Sequence, residues 1–150
     1  MPAATAASSA RRLNVLVAED NPINQHVVQA MLAHAGHTVR IVANGVEAVE
    51  AMQRETFDVV LMDMQMPLLD GLGATRQIRE LPPPKGRVPI IALTADAMTG
   101  AKEYYVEAGM DDYLAKPIPS AALIEKLEAL VRRDAAGEDE LRAQRDAAVR

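Results

Sequence analysis

Asp58-Val59-Val60-Leu61-Met62, followed at once by Asp63, is nearly continuous in apolar character. A short run of this kind reads as a strand covered on both faces, the situation of a central strand in a parallel sheet. The segments to either side repeat one pattern. Before it, Leu13-Asn14-Val15-Leu16-Val17-Ala18 is a first strand, followed by Asn21 as a helix cap and Pro22 at the first helical position. Ile23, Val27, Ala30, Met31 and Leu32 then form an apolar stripe at helical spacing, and Gly36 stops the helix. Thr38-Val39-Arg40-Ile41-Val42 alternates, as a strand nearer the sheet edge does, and Asn44 caps a helix with Val46, Ala48, Val49 and Met52 facing inward.

After the central run, Asp70–Glu80 has helical spacing, with Gly71 permitting the turn into it, and Leu81–Gly86 is a stiff loop because its three prolines exclude helix and ladder. Pro89-Ile90-Ile91-Ala92-Leu93 is a fourth strand and Thr99–Ala108 a fourth helix ended by Gly109. Asp112-Tyr113-Leu114-Ala115 is a short fifth strand; Ser120 caps a last helix with Leu123, Ile124, Leu127, Leu130 and Val131 on one face. Five strand–helix repeats predict a parallel sheet covered by helices on both faces. The core region runs over 12–134, between an Ala/Ser-rich leader or linker at 1–11 and a polar tail at 135–150 with too little apolar face to fold alone.

Composition narrows the function. Of 150 residues, 49% are hydrophobic and 25% charged, which is the balance of a globular core; only 3% are aromatic, so that core is aliphatic. The net charge of −5, without a basic cluster, argues against direct nucleic-acid binding. The chain has no Cys, which excludes disulfides and thiolate chemistry and agrees with a cytoplasmic location. No apolar run approaches the roughly 20 residues that span a bilayer. His26, His34 and His37 lack ligand spacing and read as surface or helix-end residues.

In open parallel sheets, ligands bind beyond the carboxyl ends of the strands. Here those ends carry Glu19 and Asp20, then Asp63, Thr94 and Lys116. Three mutually repelling carboxylates gathered in one place call for a hard divalent cation. Mg²⁺ takes oxygen ligands, so Asp20 and Asp63 are its direct ligands, the Met64 backbone carbonyl a third, and Glu19 a partner through water. A carboxylate is also a nucleophile toward phosphorus, and Lys116 and Thr94 would neutralise and hydrogen-bond a phosphoryl group.

Glu19-Asp20-Asn21-Pro22-Ile23-Asn24-Gln25, Met62-Asp63-Met64-Gln65-Met66-Pro67-Leu68-Leu69-Asp70-Gly71, Ala92-Leu93-Thr94-Ala95 and Tyr113-Leu114-Ala115-Lys116-Pro117 resemble the signatures of response-regulator receiver domains, in order and in spacing. The match covers roughly residues 12 to 133, and the first two forms look most like the receivers of hybrid histidine kinases. The resemblance implies a flavodoxin-like, doubly wound α/β fold, a five-stranded parallel sheet of order 2-1-3-4-5 with five helices. It makes Asp63 the phosphoacceptor, Glu19 and Asp20 the acidic metal pair, Thr94 the switch hydroxyl, Tyr113 the switch aromatic and Lys116 the family's lysine, with a cis Lys116–Pro117 bond. Glu19 stands where many members have Asp, and Gln65 and Asp96 occupy positions that tune dephosphorylation in the family.

The implied function is Mg²⁺-dependent acceptance of a phosphoryl group from phosphohistidine, switching partner binding, without steady enzymatic turnover. The implied partner is a histidine kinase or a histidine phosphotransfer protein, docking on the first helix at Ile23, Val27 and Met31. A phosphatase using an aspartyl-phosphate would want a second Asp where Gln65 stands, and an unphosphorylated interaction module would lack part of the acidic site. With 17 residues after Arg133 (150 − 133), an effector domain is not expected in this chain; a stand-alone regulator and a receiver from a larger hybrid kinase both fit, and the linker-like ends favour the second.

Overall fold

The structure, a computed structural model, describes residues 12–95 and 100–130. Strand β1 (Asn14–Ala18) leads to α1 (Pro22–His34), β2 (Thr38–Val42) to α2 (Gly45–Arg54), and β3 (Val59–Asp63) to α3 (Gly71–Arg79). Strand β4 (Ile90–Thr94) leads to α4 (Ala101–Glu107), and β5 (Asp112–Ala115) to α5 over 120–130. The five strands pair in parallel in the order β2-β1-β3-β4-β5. The chain thus winds outward from β1 to the β2 edge, returns past β1 to β3, and proceeds to the other edge. That reversal between β1 and β3 is the switch point at which parallel sheets open a cleft.

Strand side chains alternate between faces, and two cores result. Leu16, Ala18, Val60, Met62, Ile90 and Ala92 pack with Ala48 and Met52 of α2, Ala74 and Ile78 of α3, and Tyr105 of α4. On the opposite face Val15, Val17, Val59, Leu61, Ile91 and Leu93 pack with Val28 and Leu32 of α1 and with Leu123, Leu127 and Leu130 of α5. Every residue of β3 and β4 is buried, whereas β2, at an edge, shows mostly partial exposure. This is why the first two read as continuous apolar runs and the third as an alternating one.

The expected caps form at two helices: Asn21 Oδ1 accepts from Ile23 N (2.8 Å) and Asn44 Oδ1 from Glu47 N (2.9 Å). At a third, Asp70 is the cap rather than the first helical residue, its Oδ1 accepting from Gly73 N (2.8 Å). At α5 the expectation fails. Ser120 lies inside the first turn, and Leu123 N donates to the Pro119 carbonyl instead. Two helices show which of their apolar residues the sheet covers. On α1, Ile23, Val27 and Ala30 are exposed and Met31 half-buried; Val28 and Leu32, four residues apart, face the sheet. The apolar set is wider than the face the sheet can cover, and α1 is turned by one residue, about 100°, from the stripe. On α2, Val46 points outward while Ala51 takes an inward place.

Loop 81–86 is not wholly irregular: a short 3₁₀ turn spans Lys85–Arg87, and the Pro83–Pro84 bond is cis. Arg79 clasps this loop, donating to the carbonyls of Gly86, Val88 and Gly109 and pairing with Asp111 at 3.1 Å. The fourth helix is described over Ala101–Glu107; Asp96 and Thr99 lie outside the described residues, as do the leader, Val131 and the tail. Among the described residues, no helix is long and apolar enough to cross a membrane.

Candidate functional site

The register of the sheet assembles the site. Ala18 pairs with Met62, so the next residues, Glu19 and Asp63, emerge side by side from β1 and β3. Asp63 pairs with Leu93 and Thr94 with Ala115, which brings Thr94 and the following Lys116 to the same end. Lys116 N donates to the Thr94 carbonyl at 2.7 Å, extending the ladder by one bond, and the Lys116–Pro117 bond that follows is cis, as the resemblance implies.

Lys116 Nζ lies 2.8 Å from Glu19 Oε1 and 3.2 Å from Asp63 Oδ2. Glu19 is fully buried; its second oxygen accepts from Asn21 N at 3.1 Å. Asp63 is also buried, and its Oδ1 accepts from Gln65 N at 3.2 Å. Asp20, next along the turn, is exposed. One carboxylate oxygen from each of Glu19, Asp20 and Asp63 falls within 4.8 Å of the others. This all-oxygen, triply anionic set fits a hard divalent cation and no soft one.

The two buried carboxyls share one lysine unequally. Burial and the neighbouring Glu19 push the Asp63 carboxyl up to about 6. Burial also pushes on Glu19, but the bonds from Lys116 and Asn21 outweigh it and hold that carboxyl below its usual range. Burial alone would depress Lys116; Glu19 and Asp63 raise it instead, so the lysine stays charged. In this metal-free arrangement Asp63 is therefore the group that takes up a proton first.

The residues surround an open cleft of about 580 Å³, to which Asn24, Gln65 and Thr94 also contribute walls. Thr94 is buried at its rim. The Met64 carbonyl accepts from Gly71 N at 3.2 Å, which leaves its other lone pair for a further partner. Tyr113 is half-buried one strand away, its ring 5.6 Å from that of Tyr105. Ile23 and Val27 are exposed on α1, as a docking surface requires, whereas Met31 is half-buried. His26 and His34 are at the surface, but His37 is not merely a surface residue: its Nδ1 accepts from Leu13 N at 3.1 Å.

Three participants escaped the sequence reading. Gln25 Nε2 donates to the Glu19 carbonyl at 2.6 Å, an interaction across six residues that no local pattern announces. Leu68 stands 81% exposed beside the cleft with φ of 69°, a left-handed conformation costly for leucine. Leu69 N donates to the Pro67 carbonyl at 2.7 Å, closing a three-residue turn around Leu68, and Gly45 N holds the Leu69 carbonyl beyond it at 3.0 Å. Tyr105 is buried against Tyr113, its spacing in α4 being too short a signal to read alone.

A family model of the response regulator receiver domain matches residues 15–128. The sensor protein GacS of Pseudomonas syringae pv. syringae is 47% identical over 117 residues, a region that is 77% of this chain but 13% of that protein. The chain thus spans a small part of the curated relatives it matches. The receiver domain of sensor histidine kinase PA1611 from Pseudomonas aeruginosa PAO1, solved with a magnesium ion in its active-site cleft, has 47% identity and a TM-score of 0.73. That comparison covers 81% of this chain and 98% of that one. The receiver domain of Ssk1 from Saccharomyces cerevisiae, in co-crystals with the histidine phosphotransfer protein Ypd1, was matched at 33% identity and a TM-score of 0.71, covering 77% of this chain and 86% of that one. With the sheet order, the cleft at its switch point and these matches in agreement, the chain belongs to the response regulator receiver domain family.

Proposed function

We propose that this chain accepts a phosphoryl group on Asp63 from a phosphohistidine donor and uses it to change partner binding. The observation that carries the reading is Lys116 Nζ, within 3.2 Å of Asp63 and 2.8 Å of Glu19 beside an all-oxygen cation site. An Asp63 carboxylate oxygen attacks phosphorus in line as the donor's P–N bond breaks, and the imidazole leaves with the bonding pair. The carboxylates of Glu19, Asp20 and Asp63 with the Met64 carbonyl would hold Mg²⁺, Glu19 through water. The ion supplies positive charge to the phosphoryl oxygens. Lys116 swings from its two carboxylate partners to the transferred group, as a flexible point charge can. Thr94 donates its hydroxyl to a phosphoryl oxygen, and Tyr113 follows inward, shifting the surface formed by α4, β5 and α5.

The donor is a histidine kinase or a histidine phosphotransfer protein docking on Ile23, Val27 and Met31, with exposed Leu68 extending the apolar surface beside the cleft. The matched relatives being kinases of much greater length supports an origin in a hybrid histidine kinase, and the chain's lack of Cys agrees with action in the cytoplasm. The transfer is catalysed by the domain's own residues and is not a turnover reaction. Intact mass after incubation with Mg²⁺ and a small phosphodonor tests this. The expected result is one metal-dependent phosphoryl adduct that Asp63→Asn abolishes; an adduct that persists in the variant would remove Asp63 from its role.

A further inference from the structure

Of the three carboxylates at the cleft, Glu19 and Asp63 are held by bonds to their own side chains, from Lys116, Asn21 N and Gln65 N. Asp20 is different: its exposed carboxylate makes no hydrogen bond or ion pair with the described residues. Its aim is therefore set by its backbone. The peptide plane entering Asp20 is that of the Glu19 carbonyl, and the side-chain amide of Gln25 donates to this oxygen at 2.6 Å. The preceding peptide unit is tied as well, where Glu19 N donates to the Val42 carbonyl at 3.0 Å, so the chain enters Glu19 from a fixed ladder position. Gln25 is itself rigidly placed, in the first turn of α1, with its N–H on the Asn21 carbonyl at 2.9 Å. Helical side chains lean toward the N-terminus, which carries this amide back over the turn.

We infer that Gln25 is a positioning residue for the cation site, fixing the Glu19–Asp20 peptide so that the unsupported Asp20 carboxylate faces Glu19 and Asp63. The inference rests on the cation reading above. Groups that orient ligands from behind commonly contribute about tenfold to a hundredfold in metal affinity. Freed from the amide, the Glu19 carbonyl rotates toward water and takes the Asp20 φ angle with it, so the loss falls on metal binding more than on folding.

The test is calorimetric titration of the metal-free protein with Mg²⁺ alone, without phosphodonor. Three chains are compared: wild type, Gln25→Met, which keeps length but loses the donor, and Asn14→Ala. Asn14 is the matched control, since its side-chain amide makes the same kind of bond, to the Thr56 carbonyl at 2.6 Å, at the far end of β1. The expected result is an affinity about tenfold weaker for Gln25→Met, with Asn14→Ala within twofold of wild type. Gln25→Met within twofold of wild type, or a loss matched by Asn14→Ala, would overturn the inference while leaving the cation reading intact. A wild-type chain that takes up no Mg²⁺ would instead overturn the cation reading, and the inference with it.

Discussion

Asp63 is held in a folded state that disfavours its charge, and that tension is measurable. Its carboxyl titrates near 6 in the metal-free fold, against an ordinary 3.8. A carboxyl raised in this way binds its proton more tightly folded than unfolded. Its penalty on stability is therefore fully present above about pH 6 and relieved as pH falls toward 3.8. Removing the charge should help the fold. Asp63→Asn is expected to stabilise the chelated protein by about 1–2 kcal/mol at pH 7.5, less near pH 4.5. Thermal melts of both proteins at the two pH values check it, and an unchanged or lower midpoint at pH 7.5 would contradict it. The sequence displayed the acids at strand ends, but the unequal sharing of Lys116 depends on distances of 2.8 and 3.2 Å that no spacing encodes.

Among the elements, the close approach of α3 to the end of β3 determines where Asp63 sits. A Cβ added at Gly71 would stand 2.4 Å from the Asp63 carbonyl oxygen and 3.0 Å from Met64 Cα, both backbone atoms that cannot step aside cheaply. Gly71→Ala should therefore cost about 2 kcal/mol and displace Asp63. Chemical denaturation would show a lower midpoint; a stability equal to wild type would mean that the loop adapts freely. Gly71 was legible as a turn residue, but its reason was not, because the obstructing carbonyl belongs to a strand eight residues earlier. Which residues of the α1 stripe reach the core was not legible for a related cause. Its apolar residues cover more than one side, and only the sheet beneath chooses Val28 and Leu32 over Ile23 and Val27.

Taken over the entire domain, cation binding at the cleft would be linked to folding, since the carboxylates of Glu19, Asp20 and Asp63 meet only when the ends of β1 and β3 are aligned. Mg²⁺ at about ten times its Kd is expected to add about 1.4 kcal/mol of stability, a shift of several degrees in Tm that chelator reverses. Asp20→Asn should abolish most of that shift while leaving the metal-free melt near wild type, because the Asp20 side chain has no partner among the described residues. A variant that keeps the full shift would remove Asp20 from the ligand set. The fold and the members of the site were written in one dimension: apolar runs of about five residues, caps such as Asn21 and Asn44, and acids, hydroxyl and lysine at strand ends. Those are local properties, set by period, backbone preference and side-chain chemistry. The Gln25 clamp, the Arg79 clasp and the proton preference of Asp63 over Glu19 came only with the folded chain. Each depends on groups far apart in sequence meeting at hydrogen-bond distance in a medium that packing has stripped of water, and only the tertiary structure creates both conditions.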